Sequence, residues 1–208
     1  MNIVFIGIQG CGKGTLIDGL QKHLDMSLIS IGQMLRDETL TGSEEGKKIK
    51  QQQDEGVLVD QDIVKRVLNK NLAKLSAPIA VFDGYPRNSA QADDLDSVAH
   101  VDLVIYLNLS KEIAIERIMN RLNCTKCGHI TNRAICKSNV CPLCGGELVQ
   151  RSDDTIEGIT KRFEIYEKDT YPLIERYRSR GVLVEIDANI AQEERLAIAL
   201  KVINEHLN

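Results

Sequence analysis

Asn2-Ile3-Val4-Phe5-Ile6 runs directly into Gly7-Ile8-Gln9-Gly10-Cys11-Gly12-Lys13-Gly14-Thr15. An apolar run, then glycines, then a lysine and a hydroxyl residue predicts a buried strand, a phosphate-binding loop and the start of a helix. Glycines let backbone N–H groups turn inward around an anion with no Cβ in the way. The helix expected from Thr15 to about Leu24 aims its positive end at the same anion. Lys13 adds a point charge for the outer phosphates, and Thr15 offers a hydroxyl to hydrated Mg2+. The common pattern has Ser or Thr immediately after the lysine, whereas Gly14 intervenes here. The stretch predicts a nucleoside triphosphate site.

At 208 residues the chain suits one α/β domain with insertions. With 43% hydrophobic residues, only 4% aromatic and no Trp, the core must be aliphatic. A net charge of −4 and the lack of any Lys/Arg-rich stretch argue against nucleic acid or a membrane surface as partner. No leader-like or membrane-length apolar run is visible. A cytoplasmic location is expected, with the 6 cysteines reduced or metal-bound rather than paired.

Further strands are expected at Ser27–Ile31 (ended by Gly32), Pro78–Phe82, Leu103–Leu107 and Val182–Ile186. Between them lie helices around Met34-Leu35-Arg36, from Ser43 to about Glu55 (closed by Gly56), from the cap Asp60 to about Ala73, and around Gln91. Ser110 should cap a helix carrying Arg117 and Arg121 on one face, and Asp154-x-x-Glu157 should open another as a capping box. Asn189-x-x-Gln192 should cap the closing helix. Strands alternating with helices predict a parallel sheet covered on both faces.

Three constellations carry chemistry. Asp83 ends a buried strand, where open α/β sheets place their ligand crevice, and its carboxylate can hold waters of a phosphate-bound Mg2+. Cys124-x-x-Cys127 and Cys141-x-x-Cys144, 13 residues apart, form two knuckles offering four thiolates to one tetrahedral ion. With no open ligand position the metal would be structural; Zn2+ fits best, an iron–sulfur cluster is the other thiolate-held centre, and redox disulfides are the metal-free alternative. Cys136 and His129 lie between the knuckles without knuckle spacing. Cys11 reads as a small filler rather than a nucleophile. The third set is Arg36, Arg87, Arg117, Arg121, Arg151 and Arg162, planar forks suited to crowded phosphoryl oxygens.

These motifs, with Ser30 to Arg36, Gly56 to Val59, Asp83-Gly84-Tyr85-Pro86-Arg87 and Gln150 to Asp154, follow the order seen in adenylate kinases. The chain resembles the long, zinc-lidded bacterial type over essentially its whole length. The resemblance implies a P-loop three-layer α/β fold with a five-stranded parallel sheet. It further implies a CORE (1–29, 60–121 and 155–208), a helical nucleoside-monophosphate-binding insertion (30–59) and a small zinc-binding LID (122–154). The implied reaction is ATP plus AMP giving two ADP with Mg2+, by a cytoplasmic monomer.

By the same resemblance Lys13, Arg121, Arg151 and Arg162 hold the transferring phosphoryl. Gly10, Cys11, Gly12, Gly14 and Thr15 surround the ATP phosphates, and Arg117 lies against the ATP adenine. Arg36, Arg87 and Gly84 belong to the AMP site, with Arg151 and Arg162 reaching it from across the cleft. Ile31, Gln91 and the backbone around Val57 and Val59 meet the AMP base. Asp153 and Asp154 act at the lid hinge. Departures from the family are Gln9 for Pro, and Ile31 and Gln33 for Thr and Asp. Losing a hydroxyl near the base removes about 1 kcal/mol, roughly fivefold in affinity. That keeps open a kinase for UMP, CMP or GMP, although Gln91 favours adenine; a silent nucleotide-binding relative is the farther alternative. The short LID lacks the family's Tyr-His pair, leaving Arg133 to stack on adenine.

Overall fold

In a computed structural model, which describes residues 1–55, 57–72, 76–151 and 154–207, five strands form one parallel sheet in the order β2-β3-β1-β4-β8. They are β1 (Asn2–Ile6), β2 (Met26–Ser30), β3 (Ile79–Asp83), β4 (Leu103–Asn108) and β8 (Leu183–Asp187). Side chains alternate across it with the period of a strand. Val4, Ile6, Val104 and Tyr106 enter one cluster, while Ile3, Phe5, Leu103, Ile105 and Leu107 enter the other. The first face is covered by α2 (Ile31–Leu40), α3 (Glu44–Asp54), α4 (Gln61–Leu72), α5 (Ser89–Val98) and α8 (Pro172–Ser179). The second is covered by α1 (Lys13–Leu20), α6 (Lys111–Met119), α7 (Ile156–Ile165) and α9 (Gln192–Leu207). This is the expected three-layer α/β arrangement.

The topology locates the crevice. β1 connects leftward to the edge strand β2, whereas β3, lying between them, connects rightward to β4. Opposite exits from neighbouring strands open a cleft at their carboxyl ends. Phe5 pairs with Asp83 there, so the Gly7 loop and the Asp83 turn face each other by construction.

A second, antiparallel sheet has β5 (Arg121–Cys124) at its centre, between β6 (Ile130–Asn132) and β7 (Leu148–Val149). Among the described residues its own core is Leu122, Cys124, Cys141 and Leu148, with Cys136 and Cys144 packed against them. Among the described residues no helix is long and apolar enough to cross a membrane.

Several expected boundaries move. α1 begins at Lys13 and stops at Leu20, short of Leu24. Strand β2 ends at Ser30, so Ile31 and Gly32 are helical; Ile31 is 3% exposed, and joining α2 lets it pack with Leu35 and Ile49. Arg117 and Arg121 do not share a helix face. α6 closes at Asn120, whose side-chain amide donates to the Glu116 carbonyl, and Arg121 is already paired across to Asn132 in β5. Thr155, not Asp154, caps α7 by accepting from the Gly158 N–H at 3.1 Å. Asn189 lies short of α9, which starts at Gln192 with Arg195 N–H donating to Ala191. The caps Asp60 and Ser110 stand as expected, accepting from Asp62 and Ile113, and Ser43 caps α3 by accepting from Gly46. Gly56, the end of α4 near Ala73, and Asp153 lie outside the described residues.

One element has no counterpart in the sequence reading. Between α7 and α8 the chain makes a π-helical turn, Tyr166–Thr170, with Tyr171 N–H donating to Tyr166 at 2.7 Å. Pro172 opens α8 and has no N–H to give. The widened turn accommodates the missing donor and the ring's clash with the preceding turn.

Candidate active site

The phosphate loop closes on itself tightly. Gly12, with φ 92°, stands as the N-cap of α1, and a Cβ there would meet the Arg195 guanidinium at 2.8 Å. A Cβ on Gly7 would lie 2.7 Å from both the Leu107 carbonyl and Cys11 Sγ. Only glycine satisfies either position. Lys13 Nζ donates to the Gly7 carbonyl at 2.5 Å and lies 3.5 Å from Cys11 Sγ. Cys11 is fully buried in the lower cluster, consistent with a filler. Gly10, Gly14 and Thr15 complete the loop and the first turn of α1. Gln9, the departure from proline, has a buried amide oxygen with no hydrogen-bond partner among the described residues.

Arg195 supports this loop from below and was not anticipated. It is 9% exposed on α9 and donates to the Cys11 carbonyl at 3.2 Å. Burial first, then the like charge of Arg117, lowers its pKa. Arg117 donates to the Ala188 carbonyl at 3.0 Å. No motif marks Arg195; only the tertiary contact of α9 with the loop reveals it.

Three arginines named from sequence gather around the small sheet. The Asp154 carboxylate, fully buried, accepts from Arg121 at 2.7, 2.8 and 3.0 Å and from Arg162 Nη2 at 3.2 Å. The two guanidiniums keep 15% and 13% of their side-chain surface exposed, so they are held rather than entombed. Arg162 also donates to the Gly158 carbonyl at 3.0 Å. Arg151 donates to Asn123 Oδ1 at 3.2 Å.

On the other side, the Asp83 turn is tied down by its own residues. Arg87 Nε donates to the Gly84 carbonyl at 2.9 Å, and Arg87 N–H donates to Gln91 Oε1 at 2.8 Å. Gln91 is 4% exposed on α5, whose cap Asn88 accepts from its N–H. Thr170, in the π turn, donates its hydroxyl to the Arg87 carbonyl at 2.8 Å. Burial, with the like charge of Arg36 added, lowers the Arg87 pKa against the pull of Asp83. A guanidinium whose charge is opposed by burial and by a like charge suits an anion. Arg36 is steered by Gln33, whose Oε1 accepts from Arg36 at 2.8 and 3.2 Å while its Nε2 donates to Asp37. Gln33 thus has a job its divergence from the family pattern did not suggest. Val59 is buried and Val57 half exposed, its N–H donating to the Gln52 carbonyl. Lys161 of α7 donates to the Glu55 carbonyl, joining α3 to the same rim. Arg133 is exposed, its N–H donating to the Asn120 carbonyl.

The sulfurs of Cys124, Cys127, Cys141 and Cys144 all lie within 4.8 Å of one another. Cys124 and Cys144 are 3.4 Å apart and Cys127 and Cys141 are 3.7 Å apart. Tetrahedral thiolates at about 2.3 Å from a zinc ion stand about 3.8 Å apart, so the set fits one. The Lys126 and Cys127 N–H groups donate to Cys124 Sγ at 3.4 and 3.5 Å, which favours the thiolate form a metal requires. Cys136 packs beside the set and His129 contributes no ligand atom to it.

A family model described as adenylate kinase matches residues 5–182. An adenylate kinase of Thermoanaerobacter sp. (strain X514) is 38% identical over 203 residues, covering 93% of this chain and 94% of its own. That of Thermosipho melanesiensis is 35% identical over 212 residues (98% and 99%), and that of Archaeoglobus fulgidus 36% over 196 residues (90% of each).

Proposed function

The chain belongs to the adenylate kinase family, and from that premise we propose that it transfers the terminal phosphoryl of ATP to AMP, reversibly, giving two ADP. The observation that carries the proposal is the pairing of Arg121 and Arg162 on one buried carboxylate beside Arg151, with the phosphate loop and the Arg36–Arg87 pair completing the cleft. A transferase needs one cation set per phosphate group and a third for the group in flight.

The acceptor is an already ionised phosphate, so no general base is required. Positioning and charge neutralisation do the chemistry. Lys13, on a flexible stem, moves from the Gly7 carbonyl to the outer phosphates of ATP. Arg121, Arg151 and Arg162 meet the transferring group, and Arg117 packs on the ATP adenine. Arg36 and Arg87 hold the AMP phosphate beside Gly84. Gln91 turns its amide to the AMP base, because its Oε1 has a second lone pair beyond the one used by Arg87 N–H. Ile31 and the backbone of Val57 and Val59 border the base. Thr15 and Asp83 would hold a Mg2+ through water, and the ion would supply charge neutralisation to the bound triphosphate. The four cysteines hold a structural Zn2+ that maintains the small sheet.

We assign the CORE, the monophosphate-binding insertion (30–59) and the LID (122–154) as flaps closing on the two nucleotides, which excludes water and so prevents hydrolysis. A monomeric, cytoplasmic enzyme with no nucleic-acid or membrane partner is proposed. The acidic balance of 30 against 26 charges and the unpaired, ligand-like cysteines support it. The test is a coupled assay with ATP and AMP, UMP, CMP or GMP in turn. AMP is expected to be turned over at least tenfold faster than any other; equal rates, or none, reject the assignment.

A further inference from the structure

Beside Arg151 lies a buried polar group that the phosphoryl transfer described so far does not use, the side-chain amide of Asn123. Asn123 is the third residue of β5, paired to Ile130 on one side and Val149 on the other. Alternation along the strand puts it on the face of Arg121, because Leu122 and Cys124 point into the small core. Its Oδ1 accepts from Arg151 Nη2 at 3.2 Å. A guanidinium only donates, so the amide has one orientation, with oxygen toward Arg151 and nitrogen away. That Nδ2 is buried and has no hydrogen-bond partner among the described residues.

A central strand position favours a β-branched apolar residue, and an unpaired buried amide donor costs stability. Such a group beside Arg151 and on the strand face of Arg121, with its donors aimed away from the guanidinium it accepts from, suits an oxyanion. We propose that Asn123 is a further phosphate-binding residue. Its Nδ2 donates to a non-bridging oxygen of the triphosphate's transferring group, and its Oδ1 keeps Arg151 directed at the same group. This rests on the reading of the chain as a phosphoryl transferase.

Two substitutions separate the roles. Asn123→Asp keeps the acceptor and gives Arg151 a charged partner, but places an anion where the donor stood. Asn123→Val removes both functions in a residue the strand accepts. ATP affinity by calorimetry and kcat in the coupled assay are measured on intact, metal-loaded protein. Asn123→Asp is expected to weaken ATP binding at least fivefold and to lower kcat at least tenfold. Asn123→Val is expected to lower kcat three- to tenfold while melting no earlier than the parent. Asn123→Asp within threefold of the parent in both measurements overturns the proposal, leaving Asn123 only as a holder of Arg151. A parent that binds ATP but phosphorylates no monophosphate would reject the function instead, and the calorimetric comparison would still decide the role of Asn123.

Discussion

Replacing Asp154 by Asn exchanges one oxygen for an NH2 group and removes a carboxylate bonded to two of the site's arginines. Asp154 is fully buried and accepts three bonds from Arg121, at 2.7 to 3.0 Å, and one from Arg162 at 3.2 Å. In the variant one arm becomes a donor facing donors, and Arg121 and Arg162 lose the negative charge they share. Breaking a buried pair by deleting one partner costs about 3–5 kcal/mol. Because the arginines keep 15% and 13% exposure, water recovers part of this, and the lower figure of about 3 kcal/mol is expected. For a chain of this length that lowers Tm by about 6–12 °C. The assay is equilibrium urea unfolding of nucleotide-free protein, compared at constant m, then repeated with a bisubstrate compound in which a phosphate chain joins two adenosines. Phosphate oxygens restore the missing negative charge, so the gap between parent and variant should narrow by at least half. A loss below about 1 kcal/mol, or a gap unchanged by the compound, would refute the reasoning.

Arg121→Ala is expected to lower kcat at least ~100-fold, with KM for ATP changed far less, as loss of one transition-state charge partner should; a drop under threefold would remove its assigned role. Chelating the metal should unfold the small sheet and lower the unfolding temperature, since its core of four residues cannot stand alone. Equal melting curves in protein shown by elemental analysis to be metal-free would count against a structural ion. Arg195→Leu takes the charged donor from the Cys11 carbonyl, worth about 1.5 kcal/mol, and should raise KM for ATP about tenfold while sparing KM for AMP; a change below twofold contradicts its support of the loop. Burial first, then the negative charges of Asp94 and Asp96 respectively, pushes Tyr85 and Tyr177 up to about 12. The fold holds these phenols protonated above the value near 10 at which an unfolded chain releases them, so stability is intact below pH 10 and declines between pH 10 and 12. A flat urea midpoint from pH 9 to 11.5 would contradict this.

The phosphate loop and the sheet were legible because their causes are local. Buried strands such as Ile79–Asp83 and Leu103–Asn108 are apolar runs, and Gly7 and Gly12 stand where a side chain would collide. The four cysteines announced themselves by spacing alone. What failed turned on choices between adjacent residues. Asp154 and Thr155 are both able caps, and the arginines claimed the aspartate. Arg121 sits at helical spacing from Arg117, yet Asn120 closes the helix between them and strand pairing takes over. Ile31 follows a strand in pattern but is drawn into a helix by the cluster under it. Arg195 and Asn123 were invisible because each is defined by a contact with a remote residue, Cys11 in one case and Arg151 in the other. No periodicity records such pairings.

The two flaps differ in what holds them up. Ile31, Leu35, Ile49 and Val59 share one continuous cluster with Val4 and Phe82, so the acceptor-side helices are anchored by the main body. Among the described residues the small sheet buries Leu122, Cys124, Cys141 and Leu148, with Cys136 and Cys144 packed against them. Scarcity of a trace metal, a matter of diet and habitat, should therefore reach this enzyme selectively. A starved cell would keep a molecule whose helical insertion stays packed on the main sheet while the small sheet loses its order.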